Sequence, residues 1–287
     1  MDRYFAILEG KERARYLENK GRIKNLAERA WEIYEECHLC EHRCGVNRNE
    51  GAGICNVGRA SIATHFMHYG EERVLVPSYT IFFSGCNFKC VYCQNWDISQ
   101  GMKGIYIEPE RMAYIINGLE GRTRNINWVG GEPTPNLPHI VDVLSHSNSN
   151  IPQVWNSNMY CSEETMGILK YIMDVYLTDF KYGNNTCAER LSKVKDYWEI
   201  TTRNHEIAGK QGEMIIRHLL LPNHLECCTL PILQWIADNV PHAVVNIMDQ
   251  YYPTYKAFEY SDINRRITAE EYRVAYKHAE KLGLNLV

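Results

Sequence analysis

The chain predicts an α/β fold built on parallel strands, and three observations carry that reading. Short apolar runs rich in β-branched and aromatic residues recur at 80–84, 125–129, 152–156, 174–180, 214–221 and 243–248. Helical patterns lie between and after them, at 109–120, 137–146, 162–171, 187–206 (with a break), 227–238 and 268–282. At 287 residues the chain is long enough for one α/β barrel, or for one domain with an appendage. Six alternations of strand and helix argue for βαβ units with right-handed crossovers. Pattern alone leaves a closed barrel and an open doubly wound sheet both available.

The N-terminal part has a different rhythm. Over residues 3–36, Leu8, Tyr16, Ile23, Leu26, Ala30, Ile33 and Tyr34 recur at three- and four-residue steps with charges between, which predicts an amphipathic helical arm. Gly21 interrupts the pattern and is expected to split it. Next come Cys37, Cys40, Cys44 and Cys55, at C-x2-C-x3-C-x10-C spacing. Four thiolates with glycines between them suit one metal centre, and thiolates select zinc or Fe–S. His38 and His42 are spare donors, so this centre reads as zinc or a second Fe–S cluster. Gly51-Ala52-Gly53 follows no strand signal and lacks the full dinucleotide fingerprint. The change of rhythm divides the chain into 1–74 and 75–287.

The strand at 80–84 leads into Ser84-Gly85-Cys86-Asn87-Phe88-Lys89-Cys90-Val91-Tyr92-Cys93. Cys86, Cys90 and Cys93 have no fourth cysteine nearby. A [4Fe–4S] cluster is normally held by four thiolates, so three leave one iron with an open position, and an open position is where metal chemistry happens. The competing readings are a tetrahedral zinc site and three core cysteines. Later strand ends carry more polar groups. Trp128-Val129-Gly130-Gly131-Glu132-Pro133-Thr134 sets a carboxylate beside two glycines, although Gly-Gly-x-Pro is also ordinary turn chemistry. Asn156 and Ser157 suit ribose hydroxyls or a carboxylate. Asp179 and Lys181 stand two apart, on one face of a strand. Arg217 interrupts an apolar strand and needs an anion, whether a ligand's carboxylate or an internal partner. Asp249 to Pro253 follows the last strand and is placed at the mouth.

Composition excludes several classes. The formal charge of −4 and the mixing of bases with acids give no nucleic-acid footprint. No apolar run approaches the roughly 18 residues of a membrane span, and the polar opening Met1-Asp2-Arg3-Tyr4 is not a signal peptide. Eleven cysteines, seven of them in two tight groups, point to metal in a reducing, cytoplasmic setting rather than to a disulfide framework. Of the other four, Cys161 and Cys187 read as buried and the adjacent Cys227 and Cys228 as thiols at a helix start.

The C-x3-C-x-aromatic-C pattern, with Tyr92 as the aromatic, resembles the signature of radical S-adenosylmethionine (SAM) enzymes. The chain is similar in particular to the pyruvate formate-lyase activating enzyme-related family, including Gly45-Val46-Asn47-Arg48 after the first cysteines. The resemblance implies a partial (β/α)6 barrel and a [4Fe–4S] cluster on Cys86, Cys90 and Cys93, with SAM on the open iron. One electron would cleave SAM to methionine and a 5′-deoxyadenosyl radical. Gly130, Gly131, Glu132 and Pro133 match the motif that holds the SAM amino group, and Asn156, Ser157, Asp179, Lys181 and Arg217 match further SAM contacts. The implied partners are a protein or peptide substrate and a flavodoxin or ferredoxin as electron donor. Two departures separate the chain from glycyl-radical activases. Glu72 to Ser78 lacks their Gly-Pro-Gly-x-Arg-like stretch, and the extra cysteines precede the cluster loop instead of following it. A methyl or sulfur transferase on the same cluster and a non-catalytic electron-transfer module are the alternative functions.

Overall fold

The computed structural model describes residues 1–287. Three helices open the chain: α1 (Asp2–Leu8), α2 (Arg15–Glu18) and α3 (Lys20–Glu35). The sheet and its covering helices follow, as β1 (Ile62–His68), β2 (Ser78–Phe83), α4 (Trp96–Ser99), α5 (Pro109–Asn117), β3 (Asn125–Gly130), α6 (Leu137–His146), β4 (Gln153–Ser157), α7 (Glu163–Leu169) and β5 (Val175–Asp179). The last part holds α8 (Asn185–Ser192), α9 (Tyr197–Gln211), β6 (Glu213–Leu219), α10 (Leu230–Asn239), β7 (Val244–Met248), α11 (Ala269–Lys281) and β8 (Asn285–Leu286).

The strands form one open sheet in chain order from β1 to β8. Strands β2 to β8 are parallel, and β1 joins β2 antiparallel at one edge. The six expected strands are β2 to β7, and their helices cover the outside as a partial barrel. These strands read as apolar runs because helices bury one face while the opposite face turns into the barrel. Strand β1 escapes such a reading. After the buried Ile62 it alternates half-buried and exposed positions, carries two histidines and lies at an edge. It also lies within 1–74, so that segment supplies the first strand of the sheet. Strand β8 is two residues long, too short for any periodic signal.

The helical arm breaks at residues 9–14, between α1 and α2, and again at Asn19, between α2 and α3, two residues before Gly21. Gly21 sits in the first turn of α3, where a missing side chain costs the packing nothing. Gly10 supplies the earlier turn, with φ +72°. Helix α3 lays Ile23, Ala27, Ala30, Ile33 and Tyr34 onto α6, and the indole of Trp31 donates to Asp142 at 2.8 Å. Expected helix 187–206 is two helices, broken after Ser192 by Lys193 and Asp196 in left-handed backbone.

Strand periodicity sorts the barrel interior into two levels. Val154 of β4, Val175 and Leu177 of β5, and Ile215 of β6 cluster with Leu75 around the fully buried Tyr4 of α1. Helix α1 thereby plugs the end where the strands begin. Two residues further along each strand the side chain again points inward. Those positions are Asn156, Asp179 and Arg217, so the upper level is polar. No helix of the chain is long and apolar enough to cross a membrane.

Candidate active site

The upper level of the barrel opens into a cavity of about 260 Å³. Cys86, Cys90 and Cys93 line one side, on the loop leaving β2; Asn156, Asp179, Lys181 and Arg217 line it from β4, β5 and β6. Gly130, Gly131, Glu132, Ser157 and Asn158 complete the polar part of the wall. Tyr92 also lines it, but Pro133 does not; it opens the short 3-10 turn Thr134–Asn136.

The cysteine loop is held from several directions. The Ser192 hydroxyl donates to Cys90 Sγ at 2.9 Å, and Ser99 Oγ lies 3.2 Å from Cys93 Sγ. The Phe88 amide points at Cys86 Sγ from 3.3 Å. A chain of hydroxyls runs from Tyr92 to Tyr182 at 2.7 Å and on through Ser192 to the Cys90 sulfur. Burial pushes the Cys90 thiol up to about 11 and Cys86 well above its usual range. Buried thiolates without a cation are costly, and a metal centre is the partner that deprotonates such a group outright.

The two glycines before Glu132 make room for the cysteine loop itself. A Cβ on Gly130 would stand 2.2 Å from the Phe83 backbone, and one on Gly131 would stand 2.1 Å from the Gly85 carbonyl oxygen. The Gly131 amide donates to the Phe83 carbonyl at 2.8 Å. Gly131→Ala should therefore displace the cysteine loop and lower cluster iron several-fold while far-UV circular dichroism is kept. Iron and sulfide analysis of anaerobically purified variant checks this, and undiminished iron refutes it.

Glu132 is buried and accepts four hydrogen bonds. Thr134 Oγ1 and Ser157 Oγ each donate to Oε1 at 2.6 Å, the Thr134 amide reaches the same oxygen at 3.3 Å, and the Asn158 amide donates to Oε2 at 3.0 Å. Burial raises its pKa, against those bonds. Oε2 keeps a lone pair for one more donor, such as an ammonium.

Beside Cys90 stands a charge network whose Lys181 pulls the Cys90 thiol down against burial. Arg217 Nε donates to Asp179 Oδ1 at 2.9 Å and Lys181 Nζ to Asp179 Oδ2 at 2.8 Å. Arg217 also binds Glu71 at 3.1 Å and the Asn156 side-chain oxygen. Burial alone would raise Asp179, but Arg217 and Lys181 outweigh it and hold the carboxyl down at about 2. Burial also works against the Lys181 and Arg217 charges, yet Asp179 keeps both protonated. Glu71 was missed by sequence reasoning. It sits between β1 and β2, in a stretch with no motif, and only the closure of the sheet brings it to Arg217. Ser192 and Ser99 were missed for the same reason.

Cys37, Cys40, Cys44 and Cys55 line a second, much tighter cavity of about 10 Å³, together with Arg48, Thr134 and Pro135. It adjoins the first: the Cys86 amide donates to the Cys55 carbonyl at 3.1 Å, and the His42 ring donates to the Asn87 carbonyl at 2.7 Å. Arg48 is buried, donates to Cys37 Sγ at 3.4 Å, and leaves Nε and Nη2 without a partner. A buried guanidinium with free N–H groups fits an anionic centre.

A partial parallel barrel with three cysteines over a polar, charged cavity defines the class of α/β proteins with a sulfur-lined site at the strand ends. A family model described as the Radical SAM superfamily matches residues 80–236, and the chain belongs to that superfamily. Its cofactors are accordingly a [4Fe–4S] cluster and SAM. The site fits both, with soft sulfur donors beside carboxylates, cations and amides for a zwitterionic amino acid and a ribose. The chain is 54% identical over 266 residues to an uncharacterized protein of Methanocaldococcus jannaschii, covering 89% of this chain and 77% of that one. It is 22% identical over 163 residues to a pyruvate formate-lyase-activating enzyme of Staphylococcus aureus, covering 51% of this chain and 62% of the relative. The fold is like that of Streptococcus suis SuiB, solved bound to precursor peptide SuiA, with TM-score 0.50 and 15% identity. That likeness covers 70% of this chain and 46% of SuiB.

Proposed function

We propose that the chain cleaves SAM reductively and abstracts a hydrogen atom from a protein or peptide substrate. The observation that carries this reading is one cavity lined both by Cys86, Cys90 and Cys93 and by Asp179, Lys181 and Arg217. When bound, the cluster supplies the single electron that converts SAM to a hydrogen-abstracting radical. The chain's residues supply position and electrostatics. Glu132 takes the SAM ammonium on Oε2. Arg217 or Lys181 takes its carboxylate, since Asp179 leaves both cations with spare donors. Asn156 and Ser157 take ribose hydroxyls, and Gly130 and Gly131 keep the cysteine loop seated against this wall. Tyr92 and Tyr182 order Ser192 on the Cys90 sulfur.

A peptide-sized substrate is supported by the mouth of the barrel. Trp96, next to Asn95 of the cavity wall, is 45% exposed and stacks on Tyr255, and Tyr252, two residues from Gln250 of the wall, is 42% exposed. Exposed aromatics around a polar cavity suit an extended chain better than a small metabolite. The SuiB complex and the S. aureus activating enzyme lend the same reading support by analogy. A flavodoxin or ferredoxin would deliver the electron, in a cytoplasmic setting. Anaerobic protein given SAM and dithionite should release 5′-deoxyadenosine. S-Adenosylhomocysteine as the only nucleoside would replace this reading with methyl transfer.

The N-terminal quartet Cys37, Cys40, Cys44 and Cys55 is proposed to hold a second metal centre, zinc or Fe–S. Cys40→Ala should remove that centre's metal and lower solubility while leaving the Cys86 loop loaded. Full metal content in the variant would show that these four thiols bind nothing.

A further inference from the structure

A third group of sulfurs lies outside both cavities described above. Cys187 is on α8, after β5, and Cys227 is in the single turn of π-helix Leu225–Thr229, after β6. The two are 40 residues apart in the chain, and their sulfurs are 3.9 Å apart. Cys228 Sγ stands 3.8 Å from Cys227 Sγ. One sulfur of Cys187, one of Cys227 and a ring nitrogen of His224 all lie within 4.8 Å of one another. Cys187 also meets the Cys228 thiol and the His224 ring. No spacing motif announces this group, because three of its members come from one loop and the fourth from another.

The Cys187–Cys227 and Cys227–Cys228 sulfur separations match one ion, with Cys187, His224 and Cys227 as the preformed trio and Cys228 as the neighbouring fourth donor. With zinc–thiolate bonds of about 2.3 Å in a tetrahedron, two ligating sulfurs sit about 3.8 Å apart. Thiolates of a multi-iron cluster hold different irons and are spread more widely. The histidine is oriented for the task. Its Nδ1 is 2.9 Å from the Pro222 carbonyl, which only accepts, so Nδ1 carries the proton and Nε2 keeps its lone pair. A backbone carbonyl on the far ring nitrogen is the usual outer partner of a metal-bound imidazole. Arg190 Nη2 donates to the Nε2 lone pair at 3.2 Å and is itself paired with Asp262, so the guanidinium has to turn aside for an ion to bind at Nε2 and then lies at the ion's edge. A zinc ion with three thiolates is anionic, so a guanidinium at its edge is compensating charge. His224 and Cys228 are buried while Cys227 is exposed, which leaves an entry path for the ion.

We propose that Cys187, His224 Nε2, Cys227 and Cys228 bind one zinc ion that ties the loop after β5 to the loop after β6. The consequence reaches the cysteine loop through α8. Ser192, at the end of that helix, accepts from the Lys89 amide at 2.9 Å and donates to Cys90 Sγ. Cys187 precedes it by five residues, about 7.5 Å of helix. The ion therefore anchors the start of the helix whose end braces the cluster ligand.

The test compares wild type, Cys227→Ser and His224→Gln, all full length and anaerobically purified, by elemental analysis and circular dichroism. Each variant should lose about one zinc per chain, with iron unchanged. A crystal of the wild type should give an anomalous peak at the zinc edge between Cys187 Sγ and Cys227 Sγ. Equal zinc in all three proteins with no such peak overturns the proposal. So does loss of iron in place of zinc, which would mean a cluster, or a metal-free Cys187–Cys227 disulfide found by mapping unreduced peptides. Cys227 is exposed, so its serine variant keeps the comparison open even where His224→Gln fails to fold.

Discussion

Cys90→Ala should bring 5′-deoxyadenosine formation down to the enzyme-free background while the barrel stays folded. The stability cost of removing one buried thiol is about 1 kcal/mol, the ordinary size of a point mutation. The effect on chemistry is far larger, because the proposed ligation by Cys86, Cys90 and Cys93 would be left with two thiolates. Cys90 is also the sulfur at the end of the Tyr92–Tyr182–Ser192 chain. Ser192→Ala separates the two contributions: it keeps all three ligands and should slow SAM cleavage roughly 10-fold, the lower range for outer-sphere partners of metal ligands. Retained cleavage by Cys90→Ala would sink the assignment of the loop. Background-level cleavage by Ser192→Ala, with full iron, would mean that the hydroxyl is itself essential.

The second large effect is on stability. Arg217→Ala should destabilise the protein by about 3–5 kcal/mol, the usual result of stripping one partner from a buried ion pair. Glu71 bears most of the loss. Burial raises its carboxyl, and Arg217 is the main group pulling it back. Without Arg217 the folded-state pKa of Glu71 moves further above its unfolded value. A carboxyl raised in this way favours folding below its unfolded pKa and loses that contribution as pH rises through the folded value. The deficit of Arg217→Ala should therefore be largest near pH 7.5 and shrink toward pH 5. Asp179 changes less, because Lys181 still binds it at 2.8 Å. Urea denaturation of wild type and variant at the two pH values measures this. A deficit that grew on acidification would place the main loss elsewhere.

Most strands and helices were legible because each has its own local signal. Buried parallel strands such as β2 and β5 read as continuous apolar runs, and α6 is bounded at 137–146 by its prolines and polar loop. Failures fall where local signal is weak. Strand β1 is an edge strand with alternating exposure, and β8 owes its pairing to β7 alone. The split expected at Gly21 falls two residues earlier, at Asn19, and Gly21 itself is tolerated in the first turn of α3. The two glycines before Glu132 line the cavity and also meet the neighbouring strand and loop. Their free space is occupied by the backbone of Phe83 and Gly85, so they seat the cysteine loop.

Sequence by itself determined the α/β class, the three-cysteine loop after a strand, and the polar residues Glu132, Asn156, Asp179, Lys181 and Arg217 at successive strand ends. These are local properties: hydrophobic period, spacing within a loop, and a charge breaking an apolar run. Tertiary structure alone decided what faces what. Sheet closure brought Glu71 to Arg217, α8 brought Ser192 to Cys90, and two separate loops brought Cys187 to His224, Cys227 and Cys228. Contacts between residues tens of positions apart leave no period or spacing in the chain, because they are set by how whole elements pack.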